Sequence, residues 1–204
     1  MAENINYGIA KKQRKNILIK ELFRKTIHIC SSFVPFLLSK AFLPVICLLI
    51  LALVCYSISE IIRLKGYSVP FISKITETAA RKRDENKFVL GPVTLVTGIL
   101  IASLLLPLRF AKVGIFALAF GDGLASLVGK LIGKVTIPGA HGKTVAGSLA
   151  CFTAVFISTF YCTGDCLISL IIATAAMIIE VLPLADLDNV LIPVSIGFLA
   201  MMLM

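Results

Sequence analysis

Long apolar runs constrain this chain more than any other feature. Ala41 to Ile62 is apolar over a length that crosses the hydrocarbon core of a bilayer as a helix. Runs of the same kind follow at Leu90–Leu108, Val113–Ile132, about Thr144–Tyr161, Leu167–Leu182 and Val190–Met204. The first segment, Ile27–Leu38, is short and broken by Pro35. It spans only if its helix begins near Ile17, with the charged first turns at the interface. Composition agrees: the chain is 58% hydrophobic and 15% charged, with a mean hydropathy of +0.99. A soluble domain lies nearer half apolar and about a quarter charged. The expected fold is an all-α polytopic membrane protein of about seven transmembrane helices, or six if the first segment is re-entrant.

Two regions are expected: residues 1–26, a basic cytoplasmic arm or interfacial helix, and residues 27–204, a single transmembrane catalytic domain. The arm carries KKQRK and ELFRK and shows no pattern of a cleavable signal peptide. Basic residues set the orientation. With seven spans and a cytoplasmic N-terminus, 17 of the 20 Lys and Arg fall on the cytoplasmic side, and only Lys40, Arg109 and Lys112 oppose them. The net charge of +9 therefore belongs to one face, suited to anionic headgroups and a nucleotide rather than to nucleic acid. Most of the six cysteines sit within apolar runs as small hydrophobes, and their spacing holds no zinc pattern. Cys162 and Cys166 flank a short loop and are the one pair placed to bridge.

The chemistry centres on Gly121–Gly147, GDGLASLVGKLIGKVTIPGAHGKTVAG. Asp122 lies inside an apolar run, where an acid costs about 2.5–3.5 kcal/mol on insertion scales and so invites a functional reading. It reads either as a Mg²⁺ ligand facing phosphate oxygens or as a packing acid satisfied by Ser126 or by a lysine from a loop. Gly121, Ala125, Gly129 and Gly133 recur every four residues and form a smooth helical stripe, open to a ligand, a neighbouring helix or a homodimer partner. The loop after it carries Gly139, His141, Gly142, Lys143 and Thr144. Its amides and the helix start at Thr144 suit phosphate, although Ile137 stands where a Walker A loop requires glycine. Glu21, Arg24, Lys25 and His28 share one helical face. Arg81 belongs to the charge run ARKRDENK, and Glu180, Asp186, Asp188 and Asn189 cluster near the last two spans.

These residues resemble the CTP-dependent lipid-alcohol kinases: dolichol kinase, phytol kinase and CTP-dependent diacylglycerol kinase. Their motif D-x-x-A-x-x-x-G-x-x-x-G, then K-K-T-x-E-G, is matched by Asp122, Ala125, Gly129, Gly133, Lys143, Thr144 and Gly147. Gly142 and Ala146 depart from the dolichol form, and GKTVAGS is closer to the phytol kinase form. The family's E-x-x-R-K-x-x-H is matched from Glu21 to His28, and its late acidic pattern at Glu180, Asp188, Asn189 and Pro193. The resemblance implies an integral membrane enzyme with its active site at the cytoplasmic face (the plasma membrane, in a bacterium). It would transfer the γ-phosphoryl of CTP to a membrane lipid hydroxyl: phytol, a farnesol-like alcohol, a polyprenol or diacylglycerol. It further implies Asp122, with Glu180 and Asp188, as ligands of Mg²⁺. Lys143, Thr144, Arg24, Lys25 and the glycines would hold the nucleotide, His28 or Glu21 would serve as base, and Asn189 and Arg81 would be further polar site residues. The lipid tail would enter between helices along the small-residue stripe.

Two other functions compete. A phosphatidate cytidylyltransferase also uses CTP at a multi-span site, but its Lys-Asp before the Gly-x-His-Gly loop and its paired acids after it are missing here. A small ion or solute transporter would use Asp122 and Glu180 as ion sites, but the two halves of the chain show no internal repeat.

Overall fold

The computed structural model describes residues 16, 18–67, 87–140 and 142–204. The basic arm up to residue 15, the charge run with Arg81 and His141 lie outside the described residues. Within them the chain is helical, with one isolated antiparallel bridge, Thr136 to Thr144. Helix α1 covers residues 18–30 and passes through a 3₁₀ turn, Ser31–Phe33, into α2, Val34–Lys40. The helix therefore does begin well before Ile27, and 18–40 is long enough to span a bilayer, at roughly 35 Å. Then follow α3 (Phe42–Leu64), α4 (Gly91–Leu105), α5 (Leu108–Phe116), a π-helical turn (Ala117–Asp122), α6 (Gly123–Ile132), α7 (Val145–Thr163), α8 (Cys166–Val181) and α9 (Asp188–Leu203). Among the described residues three helical segments are long and apolar enough to cross a membrane, Phe42–Leu64, Leu108–Ile132 and Val145–Thr163, and three shorter apolar helices accompany them. The chain is a membrane protein.

Two boundaries differ from the sequence reading. The helix expected over Leu90–Leu108 stops at Leu105, because Leu106 precedes Pro107 and adopts an extended backbone (φ −116°, ψ 146°). The next helix therefore starts at Leu108 rather than Val113. It does not run evenly to Ile132 either. The π turn at Ala117–Asp122 takes up roughly one residue more than an α turn would, which changes the face that Asp122 and everything after it presents. Small residues allow that wider turn to pack: a Cβ on Gly121 would stand 2.8 Å from Val155 Cγ2 on α7.

The core lies among α4 to α9, with Ile115, Leu118, Val155, Ile172, Ile192 and Ile196 fully buried. α9 is wedged against α4 and α5 by two glycines. A Cβ on Gly98 would run into the carbonyl oxygen of Asn189, and one on Gly114 into that of Pro193. Pro193 has no N–H, so the carbonyl of Asn189 lacks its helical donor, and the close approach of Gly98 covers it. On the other flank, buried Glu60 of α3 accepts from Arg63 (2.7 and 2.9 Å) and from the amide of Val89 (2.8 Å). This contact ties the start of α4 to α3. Lys112 marks one end of the bundle, its ammonium 4.9, 5.4 and 5.6 Å from the ring centres of Phe36, Phe116 and Tyr161. All six cysteines are free thiols, Cys162 and Cys166 included.

Because backbone rather than side chain faces Gly98, Gly98→Val should destabilise the detergent-solubilised protein by about 1–3 kcal/mol or more, read as a lowered thermal midpoint. Gly91→Ala, with open space around its Cβ, is the matched control and should leave the midpoint nearly unchanged.

Candidate active site

At the end of the bundle remote from Lys112, a cavity of about 490 Å³ opens between α1, α6, the start of α7 and the Pro183–Asp188 turn. Its wall includes Lys25, Asp122, Ala125, Ser126, Gly129, Lys130, Gly142, Lys143, Thr144, Gly147, Glu180 and Asp188. Residues far apart in sequence thus meet in one place, and the volume lies within the range of small-molecule sites.

Asp122 is 6% exposed and ends the π turn. Its Oδ2 accepts from Lys25 Nζ at 2.5 Å and lies 3.1 Å from His28 Nδ1. The imidazole is at ion-pair distance but out of line for a hydrogen bond, and its Nδ1 is buried without a hydrogen-bond partner. One loop-independent lysine, from α1, thus neutralises the intramembrane acid. α1 is seated for this by Gly123, where a Cβ would stand 3.2 Å from Ile29.

A second polar contact lies one turn along both helices. Glu21 accepts from Arg24 (2.5 Å), Ser126 and Lys130. Ser126 therefore serves Glu21 rather than Asp122. Glu21, Arg24 and His28 stand behind the cavity wall, which from this helix takes Lys25.

The small-residue stripe serves helix packing and the cavity floor together. A Cβ on Gly129 would stand 2.9 Å from Thr144 Oγ1; one on Gly147 would stand 2.7 Å from the Ala125 carbonyl and 3.4 Å from Gly129 Cα. Gly133 likewise abuts Thr144. α6 and α7 therefore meet backbone to backbone, and the stripe is filled by α7 rather than left open for a lipid tail. Thr144 caps α7, accepting from the amide of Gly147 at 3.2 Å. Four amides at the loop are bonded within it: Ile137 to the carbonyl of Lys143, Ala140 to that of Ile137, Lys143 to that of Ala140 and Val145 to that of Val135. Gly142, at φ 86°, makes the turn that brings Lys143 to the cavity. The loop brings Gly142, Lys143 and Thr144 to the cavity wall.

Lys143 Nζ lies 3.3 Å from Glu180 Oε1, and Ser148 donates to Glu180 Oε2 at 3.3 Å. Asp188 reaches the wall, whereas Asn189 turns away and donates to Thr94 Oγ1 at 3.0 Å, fastening α9 to α4. Among the described residues no three His, Cys, Asp or Glu side chains gather as a metal site. Asp122 nevertheless has a second carboxylate oxygen, which takes no hydrogen bond within the described residues, and it lines the cavity. That donor set fits a hard divalent cation that arrives on phosphate oxygens, as Mg²⁺ does, and not a cation held by protein alone. Lys130 went unremarked in the sequence. The signal for it is the spacing Asp122, Ser126, Lys130, a polar row beside the small-residue row.

No protein-family profile matches the chain, and no solved structure does. It is 26% identical over 189 residues to an uncharacterized protein of Methanocaldococcus jannaschii, covering 89% of this chain and 93% of that one. It is 30% identical over 154 residues to a probable chloroplastic phytol kinase 1 of Glycine max, covering 67% of this chain and 46% of that one. It is 28% identical over 163 residues to a probable chloroplastic phytol kinase of Triticum aestivum, covering 70% and 54%. The chain spans about half the length of these plant proteins. It is a distant relative of proteins named as phytol kinases.

Proposed function

We propose that this protein is a membrane lipid kinase that transfers the γ-phosphoryl of CTP to the hydroxyl of an isoprenoid alcohol (phytol, farnesol or polyprenol type) or of diacylglycerol. The observation that carries this reading is the cavity itself. It joins the Asp122–Gly147 motif to Lys25, Glu180 and Asp188, with three lysines and three acids in its wall. The distant phytol kinases support a phosphoryl acceptor of the lipid-alcohol class. CTP as donor rests on the motif resemblance.

Phosphoryl transfer needs positioning and neutralisation of charge more than covalent chemistry. Lys25 and Lys143 come from opposite walls and are placed to hold the phosphate oxygens, with Lys130 beside them. Mg²⁺ carried on the triphosphate would neutralise phosphate charge and would be held by Asp122, with Asp188 in reach of the same cavity. The lipid hydroxyl oxygen bonds to the γ-phosphorus as the bond to the β–γ bridging oxygen breaks, and CDP leaves. The hydroxyl proton needs an acceptor. Both sequence candidates stand behind the cavity wall; His28 adjoins Asp122, and Glu21 is occupied by three donors. We place the cavity at the cytoplasmic face, where the basic residues gather.

The test is transfer of label from γ-labelled CTP with Mg²⁺ to a panel of lipid alcohols in detergent. Labelled lipid and CDP are expected, with loss of label in Asp122→Asn protein that remains monodisperse. Pyrophosphate release with phosphatidate, and no labelled lipid, would replace the kinase with a cytidylyltransferase.

The buried ion pair makes a separate prediction about stability. Lys25→Met leaves the Asp122 charge uncompensated and should cost about 3–5 kcal/mol, whereas Lys25→Met with Asp122→Leu should recover most of that loss. Thermal unfolding of the three proteins in one detergent checks it.

A further inference from the structure

The α1–α6 contact contains more than the Lys25–Asp122 pair. Glu21 and Lys25 are one turn apart on α1; Asp122, Ser126 and Lys130 are successive turns of one face across the π turn and α6. Lys25 meets Asp122, while Glu21 meets Ser126 and Lys130. The two rows therefore run antiparallel and interlock by charge.

Glu21 is 4% exposed and lies outside the cavity wall. One of its oxygens takes the Ser126 hydroxyl, and the other takes Arg24 and Lys130. A carboxylate with three donors, two of them cationic, and no opening to the cavity is badly placed to receive a proton from a substrate hydroxyl. Lys130 is the reverse case: its side chain is 41% exposed, and it lines the cavity on the last turn of α6. A lysine there would ordinarily extend its flexible stem toward water. The buried carboxylate of Glu21 holds it at the wall instead.

We infer that Lys130 is a phosphate-contacting residue of the cavity and that Glu21 is a positioning residue that aims it. This rests on the nucleotide reading above and assigns α1 a second task there. Besides supplying Lys25, α1 fixes a cation on the neighbouring helix. Lys130 then completes a set of three lysines, drawn from α1, α6 and the loop before α7, around one polyanion.

The test is CTP binding to the full-length protein in detergent with Mg²⁺, by calorimetry, alongside turnover. Lys130→Met should weaken CTP binding about tenfold or more, and Lys130→Arg should restore most of it. Glu21→Gln should weaken binding by a smaller factor and add nothing on the Lys130→Met background. In turnover, Glu21→Gln should raise KM and leave kcat within about twofold. Wild-type affinity in Lys130→Met would overturn the inference. So would a loss in kcat at unchanged KM in Glu21→Gln, which would make Glu21 a base, or additive losses in the double variant. If Glu21→Gln fails to fold, the two Lys130 variants decide the matter alone. A wild-type protein that binds neither CTP nor pyrophosphate would overturn the kinase reading itself; binding retained in Lys130→Met would overturn only this assignment.

Discussion

The buried pair between Lys25 and Asp122 is the contact on which the rest of the site depends. Neither charge would be tolerated alone among these helices, where the effective penalty for an uncompensated ion is several kcal/mol. Together they decide where α1 lies, because the ammonium has to reach the end of the π turn. That placement puts α1 against α6, brings Glu21 to Ser126 and Lys130, and closes one side of the cavity. An acid that would otherwise oppose insertion thus acts as an assembly contact. The same residue lines the cavity, so fold and site share one group.

The opposite side of the cavity is shaped by the absence of side chains. Gly129, Gly133 and Gly147 let α6 and α7 approach until Thr144 lies on the glycine row. Without a hydrophobic driving force between helices in lipid, such close backbone contact is a main source of association. It also sets the depth of the cavity, since any larger residue at Gly129 or Gly147 would push the Thr144 cap outward and carry Lys143 with it. Lys143 is then held by Glu180 from α8, as Lys25 is by Asp122.

The helices were legible in the sequence because hydropathy depends on composition over a whole window, and a bilayer admits few alternatives to helix. That Asp122, Ala125, Gly129, Lys143 and Thr144 belong together was legible too, because they lie within one short stretch. The break at Pro107 was available from the restriction that proline places on its predecessor, yet the apolar run hid it. The π turn was not legible. Apart from Asp122, Ala117–Asp122 reads as ordinary apolar helix, and the contact of Gly121 with Val155 on α7, which leaves no room for a Cβ there, lies far away in sequence. Since helical-wheel reasoning assumes one period throughout, it could rank the residues after Asp122 among themselves but not relate them to those before it.

The pairing of charges was the other part that sequence could not supply. Glu21 and Lys130 are separated by 109 positions, and each alone has an ordinary reading, as a solvated acid and as an interfacial lysine. What changes those readings is burial on one side and reach on the other, and both are properties of the α1–α6 contact. The same holds for Glu180, an acid near a helix end until Lys143 and Ser148 meet it. Among the described residues, Lys25, Lys130 and Lys143 of the cavity wall are each presented by a carboxylate that offsets their charge. A polyanion that takes those lysines has to compensate the acids it displaces, and a divalent cation bound to its own oxygens does so at the same moment.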